Sequence, residues 1–184
     1  MDSVIARVTI RDMEFMDVLP LAMLEEQAHE EIPTSDVWTY DDLRRVFQKC
    51  QPPFRLVAQM GRSIVGYALC EVLPAHQALV LRRVFVESHH RRCHIGSELV
   101  GHCIGELGAE YCCIVHGARE SNLVGQIFLR DRCEFRAVHP YVSKRFFRDT
   151  GEDAYILAQP DDEAFLRDVP ERIRRRFHTL FPIL

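Results

Sequence analysis

The stretch that decides the fold is RVFVESHHRRCHIGSEL, residues 83–99. It begins as an apolar, β-branched strand segment, passes through His89, His90, Arg91 and Arg92, and reaches a Gly-Ser pair that opens a helix-like run. A helix N-terminus presents unpaired N–H groups and the positive end of the dipole, so it favours anions. Arg91 and Arg92 add positive charge there, and Gly96 lets backbone approach a ligand closely. Taken alone, the stretch is either an anion-binding strand-loop-helix turn or an ordinary basic loop. Its neighbours have to decide.

Upstream, ALVLRRVFV (78–86) reads as one strand. Downstream, Ile95, Leu99, Cys103, Ile104 and Leu107 fall on one face of an amphipathic helix of about four turns. YCCIVHGA (111–118) follows as a buried strand, so the centre of the chain is a β-α-β crossover. Further out, residues 4–11 alternate like a strand, and Asp17–Glu30 carries Pro20 near its start with Leu21, Leu24 and Ala28 at helical spacing. A second helix starts after Thr39 or Asp41, with Leu43, Val46 and Phe47 on one face, and stops before Pro52-Pro53. FRLVAQM, a Gly61-Arg62 turn and SIVGYALCEVL form a hairpin. A helix over 123–132 and strands near 136–143 and 153–158 complete the order β-α-α-β-β-β-α-β-α-β-β, a mixed α/β sheet. Residues 1–158 read as one domain and 159–184 as a helical extension. There Ile173, Phe177, Leu180 and Phe181 make an apolar stripe flanked by Arg172, Arg174, Arg175 and Arg176. Such a helix either packs on the domain with a solvated basic face or serves as a partner or homodimer surface.

Composition removes several classes. A chain of 184 residues, 47% hydrophobic and 27% charged, has the make-up of a folded soluble domain. Acidic residues exceed basic ones, 27 to 23, which argues against a nucleic-acid partner. No apolar run approaches the ~18 residues that span a bilayer, and no basic-then-apolar start marks a secretory signal. Seven cysteines, an odd number without a Cys-x-x-Cys pair, fit reduced thiols and a cytoplasmic location. No metal is expected, because adjacent His89 and His90 point apart on any regular element and His94 completes no ligand set. Neither G-x-x-x-x-G-K-[ST] nor a G-x-G-x-x-G after the first strand is present.

Strand VFV (84–86), the spacing to Arg91 and the run RRCHIG opening a long helix resemble the acetyl-CoA site of the GNAT superfamily of N-acetyltransferases. That family's pattern is [QR]-x-x-G-x-[GA], and Arg91 to Gly96 match it except that His94 stands at the first glycine. LEEQAH (24–29), VWTYDDL (37–43), RESN (119–122) and RFFRDTGEDAYIL (145–157) resemble, in order, further segments of the RimI-type ribosomal-protein alanine N-acetyltransferases. The resemblance implies that acetyl-CoA is the cosubstrate. Its pyrophosphate would lie on the N–H groups of Arg92, Cys93, His94, Ile95, Gly96 and Ser97, with the charges of Arg91 and Arg92 beside it. Backbone at Val84, Phe85 and Val86 would pair with the pantetheine, and an N–H there would polarise the thioester carbonyl. Asn122 would bond the cofactor; the residue is equally suited to cap the following helix.

The catalytic pair does not carry over. RimI-type enzymes place a glutamate base five residues before the asparagine, where this chain has Gly117, and a tyrosine acid seven residues after it, where this chain has Leu129. The segment RDRCEF also replaces their usual Leu-Gly-Phe ending and is one residue longer. His116 is the nearest substitute base, since some N-terminal acetyltransferases use a histidine on this strand through water and a bulge would turn it inward. Tyr141 is a candidate acid or substrate contact, and Glu71 another candidate base. Phe146 and Phe147 would shape the peptide-side wall, and Glu30 and Glu31 would meet the acceptor ammonium. The leading expectation is acetyl transfer to a peptide or protein N-terminal amine. The alternatives are transfer to a small amine and a module that binds acetyl-CoA without turnover.

Overall fold

The computed structural model describes residues 7–31, 37–74, 77–107, 111–147 and 150–159. The predicted helical extension therefore lies outside the described residues. The chain divides into two compact units, residues 1–72 with 81–107 and residues 73–80 with 108–184. The strand-helix order is the one the sequence predicts, and the fold is mixed α/β with a mostly antiparallel sheet.

In the first unit, β1 (Val8–Asp12) pairs antiparallel with β2 (Arg55–Met60), which pairs antiparallel with β3 (Ser63–Leu73). Gly61 turns this hairpin at φ 61°, a conformation that costs glycine little. A helical turn at Phe15–Asp17 leads into α1 (Val18–Glu31). Its Asp17 is buried, and it accepts two hydrogen bonds from Arg11 at 2.7 and 2.9 Å. α2 (Tyr40–Lys49) starts at Thr39, whose hydroxyl accepts from the Asp42 N–H while the Asp42 carboxylate accepts from the Thr39 N–H. This reciprocal cap decides between the two starts the sequence allows.

Leu21 of α1, Leu43 and Phe47 of α2, and Val57, Tyr67 and Leu69 of the hairpin close over one another as the core. Each fully buried leucine there contributes about 2 kcal/mol. β3 and β4 (Ala78–Val86) approach so closely that a Cβ on Gly66 would meet the Phe85 carbonyl at 2.8 Å. α3 (Ile95–Gly105) buries Ile95, Leu99, Val100 and Cys103. It is shorter than the four turns expected, because Glu106 caps it and Leu107 N–H bonds back to Ile104 in a single turn.

In the second unit, the opening residues of β4 pair parallel with β5 (Cys112–Arg119) over three pairs, Ala78 with Cys112 to Val80 with Ile114. β4 itself runs on to Val86, outside that ladder. β7 (Glu152–Gln159) lies antiparallel to β5 and β6 (Arg136–Phe147) antiparallel to β7, giving the order β4-β5-β7-β6. α4 (Leu123–Arg132) coincides with the predicted helix. β6 runs four residues beyond the predicted end at 143, with register shifts along its pairing to β7.

Candidate active site

The first unit carries the basic loop. Four contacts anchor the end of β4. Arg83 carries its guanidinium into a buried ion pair with Glu25 of α1, and Tyr67 donates to the same carboxylate at 2.6 Å. Burial raises the Tyr67 hydroxyl well above its ordinary pKa, so it stays a donor. Phe85 packs on the Tyr67 ring at 6.0 Å, and the Glu87 N–H bonds the Val65 carbonyl at 2.9 Å. Arg91 Nε donates to the Val86 carbonyl at 2.9 Å, and its guanidinium sits 6.0 Å from the Phe85 ring. Arg91 thus fixes the strand-to-loop turn as well as bringing charge.

Beyond Arg91 the backbone takes an unusual course. Arg92 and His94 both have φ +64°, with His94 at ψ −1° in the left-handed region, while Cys93 between them keeps negative φ. Alternating hand at successive residues makes neighbouring N–H groups converge into an anion-binding concavity. Among the described residues, none of the N–H groups from Arg92 to Ser97 has an acceptor; the first helical bond is Glu98 N–H to the His94 carbonyl at 3.0 Å. Ser97 Oγ donates to that carbonyl at 2.8 Å, tightening the first turn. Arg92, Cys93 and His94 are exposed, Gly96 and Ser97 half-buried, and Ile95 buried in the core. The glycine of the family pattern falls at His94. The left-handed conformation explains the glycine, and histidine is among the residues that adopt it at moderate cost. A pyrophosphate fits this donor set.

The second unit carries the segment where the resemblance locates acyl transfer. β5 and β7 slip register between His116 and Ala118: His116 faces Ile156, Ala118 faces Tyr155, and Gly117 is left over. The bulge the sequence reading invoked for His116 is present, one residue wide and centred on Gly117. The side chains of His116, Tyr141, Phe146, Glu30 and Glu31 lie outside the described residues. Leu129 is buried in α4.

Asn122 takes the capping role: its Oδ1 accepts from the Gly125 N–H at 2.9 Å, and glycine at 125 leaves room for the folded-over amide. Its Nδ2 has no partner among the described residues, so capping and cofactor binding are compatible. α4 ends with Glu134 at φ 59° and a Phe135 N–H to Leu129 carbonyl bond at 3.0 Å. Here too a non-glycine residue takes a left-handed backbone, at the position where the resemblance has the glycine of Leu-Gly-Phe.

Glu71 is ion-paired with Arg82, whose Nε donates to it at 2.8 Å. Phe147 lies under the Arg119 guanidinium, 3.8 Å from its ring centre. Arg119 and Glu152 escaped the sequence reading as site residues, although both sit inside the quoted motifs RESN and GEDAYIL. Burial pushes the Cys50 and Cys133 thiols up to about 12, leaving Cys93 as the exposed thiol among the described cysteines. Among the described residues, no group of three or more His, Cys, Asp or Glu side chains could hold a metal. No helix there is long and apolar enough to cross a membrane.

The strand-helix order, with its mixed, mostly antiparallel sheet, is that of an acetyltransferase-type α/β fold. The model of the acetyltransferase (GNAT) family matches residues 21–135, and the chain belongs to that family. The structure is similar to the ribosomal-protein-S18-alanine N-acetyltransferase of Escherichia coli at TM-score 0.65 and 21% identity, covering 84% of this chain and 94% of that one. It is similar to Arabidopsis thaliana Naa50, in complex with a bisubstrate analogue, at TM-score 0.64 and 14% identity, covering 83% and 98%. Diaminobutyrate acetyltransferase EctA from Paenibacillus lautus superposes at TM-score 0.63 and 17% identity, covering 85% and 98%. No curated protein matches the chain in sequence.

Proposed function

We propose that the protein is an acetyl-CoA-dependent N-acetyltransferase acting on a peptide or protein N-terminal amine. The observation that carries the cofactor assignment is the run of N–H groups from Arg92 to Ser97 that have no acceptor among the described residues, with Arg92 and His94 left-handed and Arg91 alongside. The ordered segments shared with RimI-type enzymes support the choice of acceptor. Acetyl-CoA supplies an activated acyl carbon as its thioester.

This chain's residues do the rest. Arg91, Arg92 and the cradle hold the diphosphate, the Val84–Val86 backbone pairs with the pantetheine, Asn122 bonds the cofactor, and an N–H on β4 steadies the charge that develops on the carbonyl oxygen. His116 on the bulged strand, through water, takes the proton of the attacking amine, and Tyr141 returns one to the departing sulfur. Phe146 and Phe147 form the acceptor wall, with Glu30 and Glu31 meeting the incoming ammonium.

One observation favours a second reading: Leu129 is buried at the family's acid position and Gly117 stands at its base position. A protein that binds acetyl-CoA without turnover would show the same pattern. Incubation with acetyl-CoA and separate pools of N-terminal peptides and small amines, following release of the CoA thiol, distinguishes the two. Release with peptides is expected. Binding without release establishes the second reading, and release with small amines alone contradicts the peptide assignment.

A further inference from the structure

We infer that the Arg119–Glu152 pair is a positioning device that sets Asn122 and Phe147 together, and so couples cofactor affinity to acceptor affinity. The inference rests on the functional reading above.

Arg119 ends β5 and is only 6% exposed. Its Nη1 donates to Glu152 Oε2 at 2.8 Å and to Thr150 Oγ1 at 3.0 Å, and its guanidinium plane covers the Phe147 ring. The other oxygen of the same carboxylate, Oε1, accepts the Ser121 N–H at 3.0 Å. Thr150 Oγ1 donates to Oε2 at 2.8 Å, which closes the cluster. The Arg119 carbonyl in turn accepts from the Asn122 N–H at 3.1 Å and from Gln126 Nε2 at 2.7 Å.

One carboxylate therefore ties the RESN turn, which aims Asn122, to the β6–β7 hairpin, which carries Phe147. Phe147 is in register with Glu152 and Arg119 with Ala154, so β7 fixes the spacing of both partners. A lysine at 119 would keep the charge but lose the fork and the stack on the ring.

A merely structural contact and a positioning one make different kinetic predictions. Loss of a structural contact lowers the folded fraction, which reduces apparent kcat and leaves both KM values alone. Loss of a positioning contact raises KM for acetyl-CoA and for acceptor peptide at equal folded protein. Lys144, exposed and ion-paired with Asp153 in the same hairpin, supplies the control.

The test compares wild type, Glu152→Gln, Thr150→Val and Lys144→Ala, with acetyl-CoA affinity by calorimetry and KM for both substrates at matched folded concentration by circular dichroism. Glu152→Gln is expected to raise both KM values about tenfold, Thr150→Val to raise both about threefold, and Lys144→Ala to raise neither. Wild-type KM values in both hairpin variants, or a loss confined to kcat, overturn the inference while leaving the functional reading intact. Failure of wild type to bind acetyl-CoA overturns both.

Discussion

The cradle and the β5–α4 region depart from the family pattern in opposite ways. At His94 the chain replaces a glycine yet keeps a left-handed backbone, and the N–H groups from Arg92 to Ser97 still have no acceptor among the described residues. Gly117 and Leu129 stand where the resemblance places the RimI-type glutamate and tyrosine, and no backbone shape substitutes for a carboxylate or a phenol. The difference teaches where each function is stored. Anion binding at a helix start is written in main-chain geometry and tolerates exchange of side chains. Proton transfer is written in side-chain chemistry and must be supplied again from a neighbouring position, a role the proposed function gives to His116.

The largest expected effect tests that second half. His116→Ala is predicted to lower kcat by about two to three orders of magnitude and to flatten the pH-rate profile through neutrality. An unchanged profile would remove His116 from the chemistry and break the contrast at its weaker side. Next, Arg92→Glu reverses a charge at an exposed position beside the cradle, and acetyl-CoA affinity should fall about thirtyfold, with the loss shrinking as salt is raised. An affinity that does not move would mean the diphosphate lies elsewhere.

A third prediction concerns acid. Serine, arginine and threonine donors hold the Glu152 carboxyl down to about 2 from its ordinary 4.5. A depressed carboxylate stabilises the fold when ionised, so its contribution is complete above pH 4.5 and is lost as pH falls towards 2. Denaturant midpoints measured over that window should fall more steeply for wild type than for Glu152→Gln. The smallest effect is at the cradle itself. His94→Gly relieves a left-handed side chain while loosening the unfolded chain, for a net gain of about 0.5 kcal/mol. Acetyl-CoA affinity should stay within about threefold, whereas a tenfold loss would show that the imidazole itself binds.

How much of this was legible in the sequence follows the same division. β4 was readable at 78–86 because apolar residues flank Arg82-Arg83 on both sides, and α4 at roughly 123–132 because Asn122 offers a cap at its start. β6 was cut short because Ser143, Lys144 and Arg145 break the apolar run, and its pairing with β7 is irregular enough to blur alternation. The positive φ of Arg92 and Glu134 left no trace, since neither residue type announces it. At His94 the family pattern gave the only hint. The Arg119–Glu152 pair spans two motifs that were each visible but 33 residues apart, and no local pattern joins them.

The most direct test of the central claim is an amide-resolved nitrogen–proton NMR titration with CoA. The account predicts that the resonances of Arg92 to Ser97 move furthest and downfield as their N–H groups acquire phosphate acceptors, saturating together with one affinity. Saturable binding that leaves those six amides unmoved would contradict it.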